Sequence, residues 1–173
     1  LATGSEPPGD DAIVIAKAAG HAPLVHTCLP TPAAPLRAAL EASTAIDIEA
    51  VLQWIHSFPE PVLVEGVGGW EVPLTESVRV KDLAKELDWP VVVVAANRLG
   101  VLNHTLLTVD AIASQGLTVA GVILNDGLCS DPVLARWNLE DLHRELTVPI
   151  VVLPKVHNQD QLVKVGRQLW AEM

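Results

Sequence analysis

The chain has 173 residues, half of them hydrophobic and 18% charged, a composition that excludes an intrinsically disordered protein and suits one domain with a filled core. Eleven basic and 21 acidic residues give a formal net charge of -10, which disfavours nucleic acid and anionic membranes as partners because both would be repelled. The longest strongly apolar run, Val91–Ala96, is far shorter than the roughly 18 residues that cross a bilayer. Cys28 and Cys129 have no paired spacing and are predicted to be free thiols of a cytoplasmic protein.

Apolar spacing divides the chain into alternating helices and strands. Positions three and four residues apart are apolar in seven segments that we predict to be helices: Asp11–Ala19, Ala33–Ala42, Ile46–Ser57, Val78–Leu87, Asn103–Gln115, Pro132–Leu146 and Asp160–Trp170. Runs of Val, Ile and Leu without polar alternation predict four strands buried on both faces: Pro61–Glu65, Pro90–Ala96, Thr118–Leu124 and Pro149–Leu153. This order predicts a doubly wound, mostly parallel sheet covered by helices, with ligands beyond the carboxyl ends of the strands.

Acidic residues stand at two places where such a fold holds cations. Asp10 and Asp11 precede the first predicted helix, and one of them is expected to cap it. In a second interpretation, Asp11 is a metal-side carboxylate that faces Glu65. Glu65 ends the predicted strand Pro61–Glu65, and a carboxylate at the mouth of the sheet can hold a hard cation such as Mg²⁺.

A glycine-rich loop follows Glu65 directly, in the run Gly66-Val67-Gly68-Gly69. Glycine lets the backbone approach a ligand closely and aim N–H groups at its oxygens. A tight turn that needs positive φ explains the same residues. Both interpretations stay open on the sequence.

Polar residues also follow the later strands. Asn103 is interpreted as the cap of the next helix, whose N-terminus would also suit a carboxylate or phosphate. Asn125 can offer an amide donor and acceptor to a purine edge, although Asn125-Asp126-Gly127 is equally good turn chemistry. After the fourth strand, Pro154-Lys155-Val156 predicts a stiff turn whose carbonyls can border a flat ring.

Taken in order, these segments resemble the dethiobiotin synthetase family, the ATP-dependent ligases of biotin synthesis. The most specific similarity is the run Val62–Trp70 followed by Val72-Pro73-Leu74. Further matches are Arg98-Leu99-Gly100, Asn103-His104 and the segment from Gly116 to Asn125. The resemblance extends from Ala2 to about Val156 and implies an α/β fold of the P-loop NTPase class.

The resemblance also implies roles for individual residues. Residues matched to the diamine substrate, 7,8-diaminopelargonate, are Thr3, Gly68, Gly100, Val101 and Asn103. Residues matched to ATP are Asp11, Glu65, Gly66, Val67, Gly68, Asn125, Asp126, Pro154, Lys155 and Val156, with Asp11 and Glu65 as Mg²⁺ ligands. The implied reaction joins the diamine and CO₂ at the expense of ATP, in a cytoplasmic homodimer.

One family feature does not occur in these residues, namely the phosphate-binding pattern G-x-x-x-x-G-K-[ST]. The family's catalytic lysine precedes the segment that corresponds to Ala2–Glu6, so no residue of this chain is assigned that role. Because the chain begins with Leu1, we expect residues 1–173 to be a single α/β domain that begins within a longer polypeptide. Alternatives are a catalytically inactive or truncated homologue that retains dimerisation and ligand binding, a cobyrinate-type amidoligase, and a partitioning-type ATPase, which the acidic charge disfavours.

Overall fold

The computed structural model describes residues 1–7, 9–127 and 129–172. They form two compact units, Leu1–Leu87 and Asp88–Met173, and the expectation of one domain over residues 1–173 stays a prediction. All strand pairs in the described sheets are parallel, and helices separate the strands, so the predicted α/β class is confirmed. Within the described residues, no helix combines the length and apolarity needed to cross a bilayer.

The first unit contains two very short strands and four helices. In chain order these are β1 (Ala2–Thr3), α1 (Asp10–Ala19), β2 (Cys28–Leu29), α2 (Pro35–Glu41), α3 (Ile48–His56) and α4 (Val80–Leu87). The four helices were predicted, with ends that differ by at most two residues. β1 and β2 were not predicted, because two residues carry no periodicity; their pairing is extended by a 2.8 Å bond from the Gly4 N–H to the Leu29 carbonyl.

The predicted strand Pro61–Glu65 is wrong. In the structure this segment belongs to no strand, and the Leu63 side chain is 86% exposed. A strand requires a neighbouring backbone that supplies ladder hydrogen bonds, and no described segment pairs with residues 61–65. The apolar composition of the run therefore does not produce a strand here.

The second unit contains a three-stranded sheet and three helices. In chain order these are β3 (Val91–Ala96), α5 (Val101–Ser114), β4 (Val119–Asn125), α6 (Pro132–Glu145), β5 (Ile150–Leu153) and α7 (Gln159–Glu172). The strand order is β3-β4-β5, so β4 is the central strand. Its residues Val122 and Leu124 are fully buried, and Leu124 packs in a cluster with Val101 and Leu142. The last three predicted strands are confirmed in type and position.

Local capping explains where two of the helices begin. Asp47 precedes α3 and accepts a 3.0 Å bond from the Ala50 N–H. Asp131 precedes α6 and accepts bonds of 2.9 and 3.2 Å from the N–H groups of Val133 and Leu134. Each aspartate therefore satisfies N–H groups that have no partner inside the helix.

Candidate functional site

The first unit has a cavity of about 480 Å³ that gathers three of the predicted site residues. Thr3, Val67 and Gly68 line it, together with the segment 32–35 and Val72. Gly68 has φ of +84°, and a Cβ atom there would lie 3.0 Å from Val72 Cγ2. The glycine-rich loop therefore needs glycine for its backbone conformation, and the same loop forms one wall of the cavity.

A hairpin-like segment anchors the glycine-rich loop to α4. The N–H groups of Val80 and Lys81 donate to the carbonyls of Val72 and Trp70, each at 3.0 Å. Glu71 contacts the Lys81 Nζ through both carboxylate oxygens, at 2.8 and 2.9 Å. These contacts fix the end of the loop. The sequence analysis missed them because it considered the glycines themselves and not the residues that follow them.

The charges around Glu71 change its proton affinity. The hydrogen bond from the Lys81 ammonium, reinforced by the charges of Lys81 and Arg79, holds the pKa of the Glu71 carboxyl below its ordinary value of 4.5. Arg79 Nη1 lies 3.1 Å from Glu71 Oε2. The Glu71 carboxylate therefore stays ionised to lower pH than an isolated glutamate.

Asp11 and Glu65, the predicted metal ligands, both belong to the first unit and both are exposed. Asp11 lies in the first turn of α1, where Gly9 occupies the N-cap position and makes no side-chain cap. The expectation that Asp10 or Asp11 caps this helix is thus wrong, since both lie inside it. Carboxylates in a first turn are still stabilised by the helix dipole.

The donor set of Asp11 and Glu65 is chemically suited to Mg²⁺, which favours oxygen ligands and uses one or two carboxylates together with phosphate oxygens and water. The described residues contain no group of three or more His, Cys, Asp or Glu side chains arranged to hold a metal. Binding of Mg²⁺ by Asp11 and Glu65 stays a prediction.

The start of α5 differs from the sequence-based interpretation. Gly100 is the N-cap residue, with φ of 94°, and the helix begins at Val101. Asn103 is therefore the third helical residue and is exposed, so its predicted capping role is wrong. Gly100 has no side chain, so the N-cap residue offers no side-chain acceptor to the N–H groups of the first turn of α5.

The second unit has a cavity of about 400 Å³ at the carboxyl ends of its strands. Residues that directly follow β3 and β4, Asn97 and Asp126, line it, together with Lys155, which lies two residues beyond β5. The wall is completed by residues before and on α6 and by one residue of β5: Cys129, Ser130, Pro132, Ala135, Arg136, Leu139 and Val152. The cavity lies where parallel α/β sheets bind ligands, and it brings together two of the residues matched to ATP.

A family model described as an AAA domain matches residues 2–164. This chain belongs to that family. Curated relatives include the ATP-dependent dethiobiotin synthetase of Aromatoleum aromaticum, 45% identical over 77% of this chain and 60% of the relative. The synthetase of Halalkalibacterium halodurans is 32% identical over 83% of this chain and 63% of the relative. The synthetase of Haloferax mediterranei is 36% identical over 86% of this chain and 66% of the relative.

These comparisons confirm the resemblance to dethiobiotin synthetases that the motifs indicated, and the P-loop NTPase-like fold class with it. The chain spans between 60% and 66% of the length of these three relatives. The roles of individual residues in this AAA family member depend on their positions in the structure.

Asn125, matched to adenine recognition, has a structural role at the end of β4. Its Oδ1 accepts a 2.8 Å hydrogen bond from the Gly127 N–H, so the turn interpretation of Asn125-Asp126-Gly127 applies. This bond uses the oxygen of the Asn125 amide, and the Nδ2 group is not part of the turn hydrogen bond. Beyond β5, Pro154 is exposed and Val156 is half-buried on either side of Lys155.

Sequence reasoning missed a buried polar network beside the second cavity. Asn97 and Asn138 are 2% and 5% exposed, and Asn138 Nδ2 donates to Asn97 Oδ1 at 2.8 Å. Asn97 Nδ2 in turn donates to Asp126 Oδ1 at 2.7 Å. The available signal was a polar residue directly after the apolar run of β3, because a buried amide at that position requires partners.

Proposed function

We propose that this chain carries ATP- and substrate-binding elements of a dethiobiotin synthetase, which converts 7,8-diaminopelargonate, CO₂ and ATP into dethiobiotin, ADP and phosphate. The observation that carries the proposal is the cavity at the carboxyl ends of β3, β4 and β5, whose lining includes Asp126 and Lys155. The relatives named ATP-dependent dethiobiotin synthetases support the same reaction.

The proposed reaction balances in three steps. An amine of the substrate adds to CO₂ and loses a proton, giving a carbamate. A carbamate oxygen attacks the γ-phosphorus of ATP, the bond between that phosphorus and the bridging oxygen breaks, and ADP leaves. The second amine then attacks the carbonyl carbon of the mixed anhydride, expels phosphate and closes the ureido ring. Such chemistry depends chiefly on positioning and on neutralising phosphate charge.

The base of ATP is assigned to the second unit. Asp126 and Lys155 line the cavity, and the Asn125 Nδ2 group is the donor that its turn hydrogen bond leaves available. Pro154 and Val156 flank Lys155 and border the base. Apolar contacts come from Leu139 and Val152, and a small set of polar groups among apolar walls is typical of a cofactor site.

Contacts to phosphate groups are proposed for the residues that the resemblance matches to them. Asp11 and Glu65 are the proposed Mg²⁺ ligands, and backbone N–H groups of Gly66, Val67 and Gly68 are proposed to face phosphate oxygens. When bound, Mg²⁺ supplies positive charge against the triphosphate, which a chain with a net charge of -10 does not itself provide.

Two groups of residues are proposed to contact the diamine, as the resemblance implies. The Thr3 hydroxyl shares its cavity with Gly68, and it is proposed to contact an amine of the substrate. The first turn of α5, with Gly100, Val101 and Asn103, is proposed to hold the substrate carboxylate, because a helix N-terminus favours an anion. We further propose that these residues act across the interface of a cytoplasmic homodimer.

The test is formation of dethiobiotin from the diamine, labelled bicarbonate and Mg·ATP, detected by mass spectrometry, with calorimetric titration of Mg·ADP as the binding measurement. We expect Mg²⁺-dependent nucleotide binding, reduced on the order of tenfold or more by Glu65→Gln through loss of a metal ligand. Glu76→Gln is the matched control, because Glu76 is also exposed and belongs to the same unit.

The two measurements separate the parts of the proposal. Equal Mg²⁺ dependence in the Glu65→Gln and Glu76→Gln proteins would contradict the metal assignment alone. Absence of both dethiobiotin formation and nucleotide binding would overturn the proposed function.

A further inference from the structure

Asn97 is almost completely buried and uses both ends of its side-chain amide. Nδ2 donates to Asp126 Oδ1 at 2.7 Å and to the Ala135 carbonyl at 3.2 Å. Oδ1 accepts from Asn138 Nδ2 at 2.8 Å. An ionised carboxylate only accepts hydrogen bonds, so Asp126 requires the Nδ2 end of Asn97 to face it, and this fixes the orientation of the whole network.

The network also fixes the carboxylate of Asp126 at the wall of the second cavity. The backbone of Asp126 is held on both sides, by a 2.9 Å bond to the Leu153 carbonyl and a 2.9 Å bond from the Cys129 N–H. In its side chain, Asp126 Oδ1 accepts the hydrogen bond from Asn97 Nδ2. One carboxylate oxygen of Asp126 is thus engaged by the protein, and this bond holds the carboxylate of a residue that lines the cavity.

We propose that Asn97 is a positioning residue that makes Asp126 present one acceptor oxygen to the base of a nucleotide, and thereby selects adenine over guanine. The inference rests on the proposed nucleotide binding. The exocyclic amino group of adenine needs one acceptor. Guanine has two adjacent donors, N1–H and the N2 amino group, which pair best with both oxygens of a carboxylate. Asn97 already donates to one of those oxygens, so a guanine that pairs with both oxygens competes with Asn97 for Oδ1.

The test is a titration of the isotopically labelled full chain with AMP and with GMP, followed by nuclear magnetic resonance at the amides of Asp126 and Gly127, a method that measures millimolar affinities. We expect the wild-type protein to bind AMP more tightly than GMP. In Asn97→Ala the competing bond to Oδ1 is lost, and the AMP:GMP affinity ratio should fall about tenfold, the value of one charged hydrogen bond.

Asn138→Ala is the matched control. It removes a neighbour of Asn97 and disturbs the same buried network, but it leaves the bond from Asn97 to Asp126 in place. A purely structural role for the network predicts the same change of the affinity ratio in both variants. The positioning role predicts a ratio within about twofold of wild type in Asn138→Ala. If Asn97→Ala does not fold, Asn97→Ser keeps a hydroxyl at the buried position and serves for the same measurement.

Three results would contradict parts of the argument. An unchanged AMP:GMP ratio in a folded Asn97 variant that binds nucleotide would overturn the positioning role and leave the proposed function standing. An equal fall of the ratio in Asn138→Ala would also overturn it. Absence of amide shifts with both nucleotides in the wild-type protein would instead overturn the proposed nucleotide site.

Discussion

The side-chain oxygen of Asn125 accepts a hydrogen bond from the Gly127 N–H at 2.8 Å, so a residue proposed to contact the base also closes the turn after β4. The fit is tight, because a Cβ atom on Gly127 would lie 2.9 Å from that same oxygen. Turn formation and placement of the Asn125 amide are therefore linked through one contact.

Gly127→Ala is expected to displace the Asn125 side chain and to lower the free energy of unfolding by about 1–2 kcal/mol, through loss of a hydrogen bond and steric strain. Nucleotide affinity should fall as well, since the Nδ2 group moves with the side chain. Urea denaturation and titration with AMP check the two effects. Gly69→Ala is the control, because a Cβ atom at Gly69 meets nothing within 4 Å; equal effects of the two substitutions would contradict the proposed contact.

The Glu71–Lys81 pair predicts a specific dependence of stability on pH. Because the pKa of Glu71 is lowered in the folded protein, its contribution is fully present above the ordinary value of 4.5 and is lost as pH falls through the lowered folded value. The stability difference between wild type and Glu71→Gln, measured by urea denaturation, should therefore shrink as the pH is reduced below 4.5. The difference should also decrease with added salt, because the pair is exposed. A difference that stays constant over this range would show that the ion pair does not contribute.

Because Asp131 caps α6, removal of its side chain is expected to lower the stability of the protein. Asp131→Ala leaves two N–H groups of the first turn without their acceptor and should lower the free energy of unfolding by about 1 kcal/mol. Asp131→Asn keeps an acceptor of the same size and should retain most of that energy. Chemical denaturation of the wild-type, Asp131→Asn and Asp131→Ala proteins checks the expected order of stability. A loss of unfolding free energy in Asp131→Asn as large as that in Asp131→Ala would contradict the capping role.

The central position of β4 predicts that its core side chains are far more costly to truncate than those of β3. Leu124 is fully buried, whereas Val94 on β3 is 64% exposed. Leu124→Ala should therefore lower the free energy of unfolding by about 2–5 kcal/mol through lost burial and a cavity. Val94→Ala should cost less than about 1 kcal/mol. Comparable losses in a thermal or urea denaturation experiment would contradict this burial pattern.

The second unit shows which features local sequence can predict. The runs that form β3, β4 and β5 are apolar throughout, and the structure pairs all three in one parallel sheet. Helix α6 follows from Asp131 and Pro132, whose cap and fixed φ favour a helix start. In each case the signal lies within the element itself, so no knowledge of distant residues is required.

Features that depend on distant partners were predicted less well. The run Pro61–Glu65 has the composition of a strand, but strand formation needs a paired neighbour. Asn103 has the chemistry of a cap, but Gly100 adopts the left-handed conformation that starts α5 earlier. Residue type shows what a side chain can do, whereas the backbone around it decides which of those possibilities is used.

The sequence by itself determined the α/β class, most helix positions and the resemblance to dethiobiotin synthetases, because periodicity and motif spacing are properties of consecutive residues. Only the tertiary structure decided that Asn97 and Asn138, 41 positions apart, share a hydrogen bond and that Asp126 has one oxygen engaged by this network. The reason is physical: burial turns an unpaired amide into a large energetic cost, and which groups become buried together is set by how strands and helices pack.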